Sequence, residues 1–303
     1  MNKNKILVIT GPTAAGKSAL AIDLALRLDG EIISCDSMQV YRGMDIGTAK
    51  PSKSDMELVP HHMIDVADPH CDYSCAEYTE AAREAAGEII GRGHLPILCG
   101  GTGLYIDSFL GANVYCPPVP KGIRESLEGL SADELYGRLS ECDPDSARTI
   151  HKNNIKRVIR ALEIYIGTGI TKSEWDRRSK EAPALFSSVT AVLSYEDRGT
   201  LYSRTDARVD LMIKEGLEEE VRSLDLPREK PAAQAIGYKE LYSYFDGCCS
   251  YAEAVENIKR ATRNYVKRQE TWFRRYTDAH RFFADRLEYK DIVNNIVEIT
   301  ENS

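Results

Sequence analysis

An apolar run from Ile6 to Thr10 breaks into Gly11-Pro12-Thr13-Ala14-Ala15-Gly16-Lys17-Ser18 and then into a helical pattern. The order of strand, glycine-bounded loop and helix start leaves few folds open. Backbone N–H groups turned inward at the positive end of a helix form an anion cradle. Lys17 reaches the outer phosphate, and the Ser18 hydroxyl is placed to ligate Mg²⁺. All eight residues from Gly11 to Ser18 are therefore expected to bind a phosphate compound whose identity the loop alone leaves open.

The pattern continues as Glu31–Ser34, a helix around Ala76–Gly91 and a strand Leu95–Cys99. Short apolar runs alternating with helical patterns predict βαβ units and a parallel sheet flanked by helices, the α/β class with a P-loop-like core. After Cys116-Pro117-Pro118-Val119-Pro120 only helical patterns follow, because prolines continue neither a helix nor a central strand. Ser131 with Asp133 and Glu134, and Asp143 before Pro144, are helix starts. Apolar residues at Ile155, Val158, Ile159, Leu162 and Ile166 repeat with helical spacing until Gly167 and Gly169. A β-branched run, Ser188–Leu193, re-enters the sheet. Helices are then expected over Leu201–Leu224, Gly237–Phe245 and Tyr251–Tyr276, and an edge strand at His280–Phe283. The domain reading is a core of residues 1–115 and 187–303 with an all-helical insertion at 116–186.

With 303 residues, 43% hydrophobic and 28% charged, the chain has ample material for a core and one inserted unit. The start, Met1 to Lys5, passes straight into the first strand, and no run is long enough for a signal-peptide core or membrane span. The expected location is the cytoplasm, without a membrane partner. Eight cysteines at irregular spacings read as reduced thiols rather than a disulfide framework. Cys71 and Cys75 lie near His61, His62 and His70, but the loose spacing and missing second pair favour ordinary loop thiols over zinc. No long exposed apolar stripe is evident, so a monomer is expected.

A net charge of −8 argues, by itself, against a nucleic-acid partner. Its distribution argues otherwise. Lys259–Arg275 carries seven cations against the single acid Glu270, and that segment can form a basic surface on an acidic protein.

Nucleotide hydrolases of this loop class hold Mg²⁺ through an acid that ends a later strand. Here the strand Leu95–Cys99 runs into Gly100-Gly101-Thr102, and the acid comes after the second strand instead, at Asp36. A carboxylate across the cleft from the loop suits a base acting on an incoming nucleophile. The polar stretch from Ile32 to Pro51 reads as a substrate-reading surface.

Seven segments taken in order resemble the tRNA dimethylallyltransferase family: GPTAAGKS, DSMQVYRGMDIGTAKP, PHHMID, GGTGLY, DPDSARTIHKNNIKRVIRALEIY, QAIGYKE and KRQETWFRR. The resemblance runs from Gly11 to about Arg275 and, with nothing like a C-terminal zinc finger, points to the bacterial form. It implies a loop that holds the diphosphate of dimethylallyl diphosphate, with Mg²⁺ on Ser18. It also implies that Asp36 is the general base toward the exocyclic amine of the adenosine just 3′ of the anticodon. Arg208 is implied at the diphosphate, and Thr102 in a channel where base and donor meet. Ser37, Met38, Gln39 and Gly101 are implied to read the flipped adenosine. Arg124, Lys156, Arg157, Arg160, Gly237, Tyr238, Lys239, Arg263, Lys267 and Arg268 are implied to grip the anticodon stem-loop, with Tyr238, Tyr265 and Trp272 as stacking candidates. Gln234 stands where some relatives place a basic residue. Without the resemblance, Arg208 reads as a surface ion pair with Asp206 or Asp210, Thr102 as a tight turn, and Tyr265 and Trp272 as core residues of an amphipathic helix.

Three other readings stay open on the residues alone. An adenylate isopentenyltransferase acting on free AMP, ADP or ATP shares the loop and base but needs neither the insertion nor the basic helix. A small-molecule P-loop kinase would release ADP from ATP. A non-catalytic RNA-binding protein using the loop as a nucleotide sensor would be indifferent to loss of Asp36.

Overall fold

The computed structural model describes residues 5–111, 119–120, 122–181 and 184–303. The chain opens with β1 (Lys5–Thr10), α1 (Lys17–Leu28), β2 (Gly30–Ser34), α2 (Lys53–Leu58), β3 (His61–His62), α3 (Cys75–Gly91), β4 (Leu95–Gly100) and α4 (Gly103–Leu110). A helical stretch comes next: α5 (Ile123–Glu128), α6 (Ala132–Cys142), α7 (Pro144–Thr149), α8 (Ile155–Thr168) and α9 (Lys172–Glu181). The chain then forms β5 (Ser187–Ser194), α10 (Arg198–Lys214), α11 (Leu217–Leu224), α12 (Tyr238–Phe245), α13 (Tyr251–Phe273), β6 (His280–Phe283) and α14 (Tyr289–Glu301).

All six strands are parallel, in the order β3-β2-β4-β1-β5-β6. Ile6, Leu7, Val8 and Ile9 of β1 are fully buried, because a parallel strand with helices on both faces has no solvent side. Thr10 pairs with Gly100 and Val192, and Ser34 with Cys99, so β1, β2, β4 and β5 all end at one edge. β4 separates β1 from β2. The loops leaving the ends of β1 and β2 therefore stand two strand spacings apart, about 10 Å.

The sequence-predicted strands and the α/β class appear as expected, with two differences. The helix expected over Leu201–Leu224 is two helices, because Gly216 adopts φ 100° and starts α11, with Glu218, Glu219 and Glu220 in its first turn. The short β3 and α2 lack a clear sequence signal. His62 bonds Glu31, and His61 bonds the Val59 carbonyl. Seven described cysteines are free. No helix among the described residues is long and apolar enough to cross a membrane.

The chain divides into two compact units, one of residues 1–110 and 186–303 and one of 111–185. Cys116, Pro117 and Pro118, at the first expected boundary, lie outside the described residues. The smaller unit has its own core, with Leu127, Leu135, Leu139, Val158 and Leu162 nearly inaccessible. Ser131 and Glu134 form a reciprocal capping box on α6, and Asp143 caps α7 while accepting from the Ser173 N–H.

At the opposite edge of the sheet, the buried Glu31 carboxylate takes two bonds from Arg92 and one each from His62 and His94. Burial opposes its ionisation, but the bonds from Arg92, His62 and His94 outweigh it and hold the carboxyl at about 2. A depressed folded-state value contributes stability above the ordinary value of 4.5 and loses it as pH falls toward 2. Glu31→Ala should lower unfolding stability by roughly 2–4 kcal/mol at pH 7, since it strands partners that are partly solvated. In chemical denaturation the gap from wild type should narrow progressively as pH falls from 4.5 toward 2. A pH-independent gap would assign the loss to packing alone.

Candidate active site

The phosphate loop leaves β1 through Gly11, whose φ is 141° and where a Cβ would lie 2.2 Å from the Leu193 carbonyl oxygen. Only glycine fits there. Ala14 (φ 62°) and Gly16 (φ 95°) turn the loop through left-handed conformations, and Gly16 opens α1 without a side-chain cap. Among the described residues, no side chain takes the first-turn N–H groups of α1. Lys17 Nζ donates to the Pro12 carbonyl at 2.7 Å. Burial brings the Lys17 ammonium down to about 8; Arg208 pushes the same way, while Cys99 and Asp36 oppose it.

α10 forms the facing wall. A cavity of about 440 Å³ lies between Ala14, Gly16, Lys17, Ser18 and Ala19 on one side and Arg204, Ala207, Arg208 and Leu211 on the other. Arg208 has no ion-pair partner among the described residues. Asp206 is taken by Arg263 at 2.6 Å and Asp210 by Lys259 at 2.6 Å, so the surface-pair reading of Arg208 fails. Burial lowers the Arg208 guanidinium and Asp36 raises it.

Asp36 lies just past the end of β2. Its Oδ1 accepts from the N–H groups of Met38 (2.8 Å) and Gln39 (3.4 Å), and its Oδ2 has no hydrogen-bond partner among the described residues. The residue lines a second cavity, about 270 Å³, with Thr13, Ser37, Met38, Arg208, Tyr265 and Arg268. Its far wall is apolar, from Val209, Met212, Ile236 and Ile258. Arg208 borders both cavities. Thr102 Oγ1 accepts from the Ser37 N–H at 3.1 Å while its own N–H donates to the Cys35 carbonyl, fixing the segment that carries Asp36. Burial, then Asp36, raises the Tyr265 phenol, and the Thr102 hydroxyl counters.

Residues 39–276 match the family described as IPP transferase, and residues 4–66 the one described as isopentenyl transferase. A tRNA dimethylallyltransferase of Anoxybacillus flavithermus is 46% identical over 301 residues, covering 98% of this chain and 96% of the relative. That of Bacillus subtilis is 46% identical over 90% of this chain and 88% of its own. The chain belongs to the tRNA dimethylallyltransferase family. A tRNA isopentenylpyrophosphate transferase structure from Bacillus halodurans superposes with a TM-score of 0.74 at 41% identity, covering 99% of this chain and 97% of that one. A eukaryotic dimethylallyltransferase acting on tRNA gives 0.82 at 31% identity, over 93% of this chain and 74% of that one. Membership in this family disfavours the free-adenylate, kinase and sensor alternatives.

Two expectations drawn from the family motifs need correction. Tyr238 is fully buried against Gly47 and donates its hydroxyl hydrogen to Glu220, so it cannot stack on RNA. The Gln39 side chain is spent inside its own loop, accepting from Ser34 Oγ and donating to the carbonyls of Thr48 and Ala49, and it does not line the Asp36 cavity. Arg263 is held by Asp206, and Arg124 by a bidentate pair with the buried Glu163. Gly237 and Lys239 line the Asp36 cavity, whereas Lys267 is exposed. In the smaller unit Lys156, Arg157 and Arg160 are exposed on α8, opposite its buried Val158 and Ile159. Trp272 packs against the core and against Gly103.

Three further residues belong to the site without standing out in the sequence. Gln269 accepts from the Thr13 N–H at 2.9 Å and donates to the Gly101 carbonyl at 3.0 Å, tying the phosphate loop to the turn after β4. Its only signal is a glutamine at inward spacing with Val266 and Phe273. Arg204 Nε donates to the Ala14 carbonyl at 3.0 Å, one helical turn from Arg208. Glu220 accepts the consecutive N–H groups of Asp45, Ile46 and Gly47 at 2.7–3.0 Å and pins the loop that begins at Asp36.

Lys17 is cationic in the free protein only below about pH 8, so pyrophosphate binding measured by calorimetry should weaken as pH rises through that value. Relative to Lys17→Met, whose profile removes the titration of pyrophosphate itself, the expected advantage is about 10- to 100-fold at pH 7, shrinking by pH 9.5. Parallel profiles would remove Lys17 from the phosphate contact.

Proposed function

We propose that this chain transfers a dimethylallyl group from dimethylallyl diphosphate to N6 of the adenosine immediately 3′ of the anticodon, position 37, in tRNA, with release of diphosphate. The observation that carries the reading is the placement of the Asp36 carboxylate. It has one oxygen free, stands two strands from the phosphate loop, and shares Arg208 with it as a common border.

The exocyclic amine of adenine is a weak nucleophile because its lone pair is delocalised into the ring, so it needs a base and a good leaving group. The amine nitrogen attacks the allylic C1 as the C1–O bond breaks; its proton passes to Asp36 Oδ2, and the bonding pair leaves with the diphosphate. Lys17, Arg204 and Arg208 face the growing oxyanion charge. The apolar wall of Val209, Met212 and Ile258 suits a five-carbon chain. β4 ends in Gly100 where a nucleotide hydrolase would place its metal-binding acid, which fits a diphosphate that departs whole.

The Ser18 hydroxyl makes no hydrogen bond among the described residues, and no cluster of three His, Cys, Asp or Glu side chains is present among them. That donor set fits Mg²⁺ held mainly by diphosphate oxygens and water with Ser18 as its protein ligand, and the ion would neutralise leaving-group charge. The exposed Lys156, Arg157 and Arg160 suit an RNA backbone, and flipping the target base costs about a few kcal/mol that such contacts offset. The proposed enzyme is a monomer working in the cytoplasm.

Purified protein given dimethylallyl diphosphate should modify unmodified tRNA and leave AMP untouched. Asp36→Ala should reduce transfer at least about a hundredfold with tRNA affinity retained. Product on AMP alone, or an active Asp36→Ala variant, would sink the reading.

A further inference from the structure

We infer that the cavity between α12 and α13 is a stacking site for the base of a nucleotide adjoining the target adenosine, with the guanidinium of Arg228 as its floor. The inference rests on the proposed RNA substrate. The cavity, about 540 Å³, shares Gln234 and Lys239 with the Asp36 cavity, so an RNA strand that delivers one base to Asp36 passes this opening with its neighbour.

Arg228 is fixed as a plane. Its guanidinium lies 3.7 Å from the Tyr242 ring centroid, Nη1 donates to the Leu226 carbonyl at 2.9 Å, and Nη2 and Nε meet the two Asp246 oxygens at 3.1 and 3.4 Å. Tyr242 beneath it is 3% exposed and anchored by the Leu226 N–H, whereas the Arg228 side chain is 42% exposed. One face of the guanidinium is therefore covered by a ring and the other is open. A rigid planar cation with one free face is a surface on which nucleobases stack.

The remaining lining suits a nucleotide too. Asp246 is matched by Arg228, and Glu240 by the Gly237 N–H and Lys239, which leaves Arg260 with only the Asn257 amide oxygen as a partner among the described residues. Arg260 suits a phosphate, and the Asn264 amide can meet a base edge.

The test uses the full chain and an anticodon stem-loop RNA carrying 2-aminopurine at one or the other position flanking the target adenosine, without prenyl donor. Wild type should quench the fluorescence at one position and Arg228→Ala should not. In turnover assays Arg228→Ala should raise KM for the stem-loop about tenfold or more and leave KM for dimethylallyl diphosphate unchanged. Arg228→Lys, which keeps the charge and loses the plane, should behave like Arg228→Ala. An abasic nucleotide at the quenched position should raise the wild-type KM by the same factor and add nothing to the variant's loss, a comparison that does not depend on how well the variant folds. Absence of quenching at both positions, or a lysine variant equal to wild type, overturns the inference. Quenching is read without chemistry, so a wild-type protein that quenches but does not prenylate would refute the proposed reaction and leave the stacking site standing.

Discussion

The site depends on a steric constraint at the end of β4. That strand lies between the one that launches the phosphate loop and the one that launches Asp36, so its exit must pass between both without filling the space. A Cβ at Gly100 would lie 2.0 Å from the Cys35 carbonyl oxygen, and one at Gly101 2.2 Å from Gln269 Nε2. The glycines let Thr102 approach closely enough to hold Ser37, and let Gln269 reach across to Thr13. The catalytic distance is thus set by three backbone segments, which fix a carboxylate and an anion cradle more firmly than flexible side chains could.

Electrostatics depend on that spacing in turn. Lys17, Arg204 and Arg208 converge on a small volume with little negative charge of their own, and burial shifts both Lys17 and Arg208 toward neutrality. Such a site is poorly satisfied until an anion arrives, and a multiply charged diphosphate relieves the repulsion of crowded cations most where charge accumulates. Asp36 interacts favourably with Lys17 and Arg208 but forms an ion pair with neither, so its free oxygen is not neutralised by a bonded cation. In the proposed reaction that leaves one carboxylate to receive a proton while the cations nearby receive a leaving group.

Much of this was legible in the sequence because it depends on local chemistry. The phosphate loop, the acid after β2 rather than β4, and the helical segment each have signatures within a few residues. The features that were not legible depend on tertiary pairing. Gln269 reads as one polar residue in a basic helix until the fold brings Thr13 and Gly101 to it, 256 and 168 residues away in sequence. Tyr238 and Gln39 carry the residue types of RNA contacts, but burial turns the first into a core ring and the second into a loop staple. His62 lies 31 residues from Glu31, and their bond exists only once β3 pairs with β2.

The loop from Asp36 to Pro51 shows why such staples matter. A polar loop of this length ordinarily has to be ordered when substrate binds, which subtracts from affinity. Here Glu220 takes three successive N–H groups, Gln39 takes two carbonyls, and Lys50 bridges the Tyr41 carbonyl, Asp45 and Asp65. The ordering cost is met on folding, by hydrogen bonds within the protein. RNA contact energy is then left for extracting a stacked base, the one step in this reaction that a preformed pocket cannot perform beforehand.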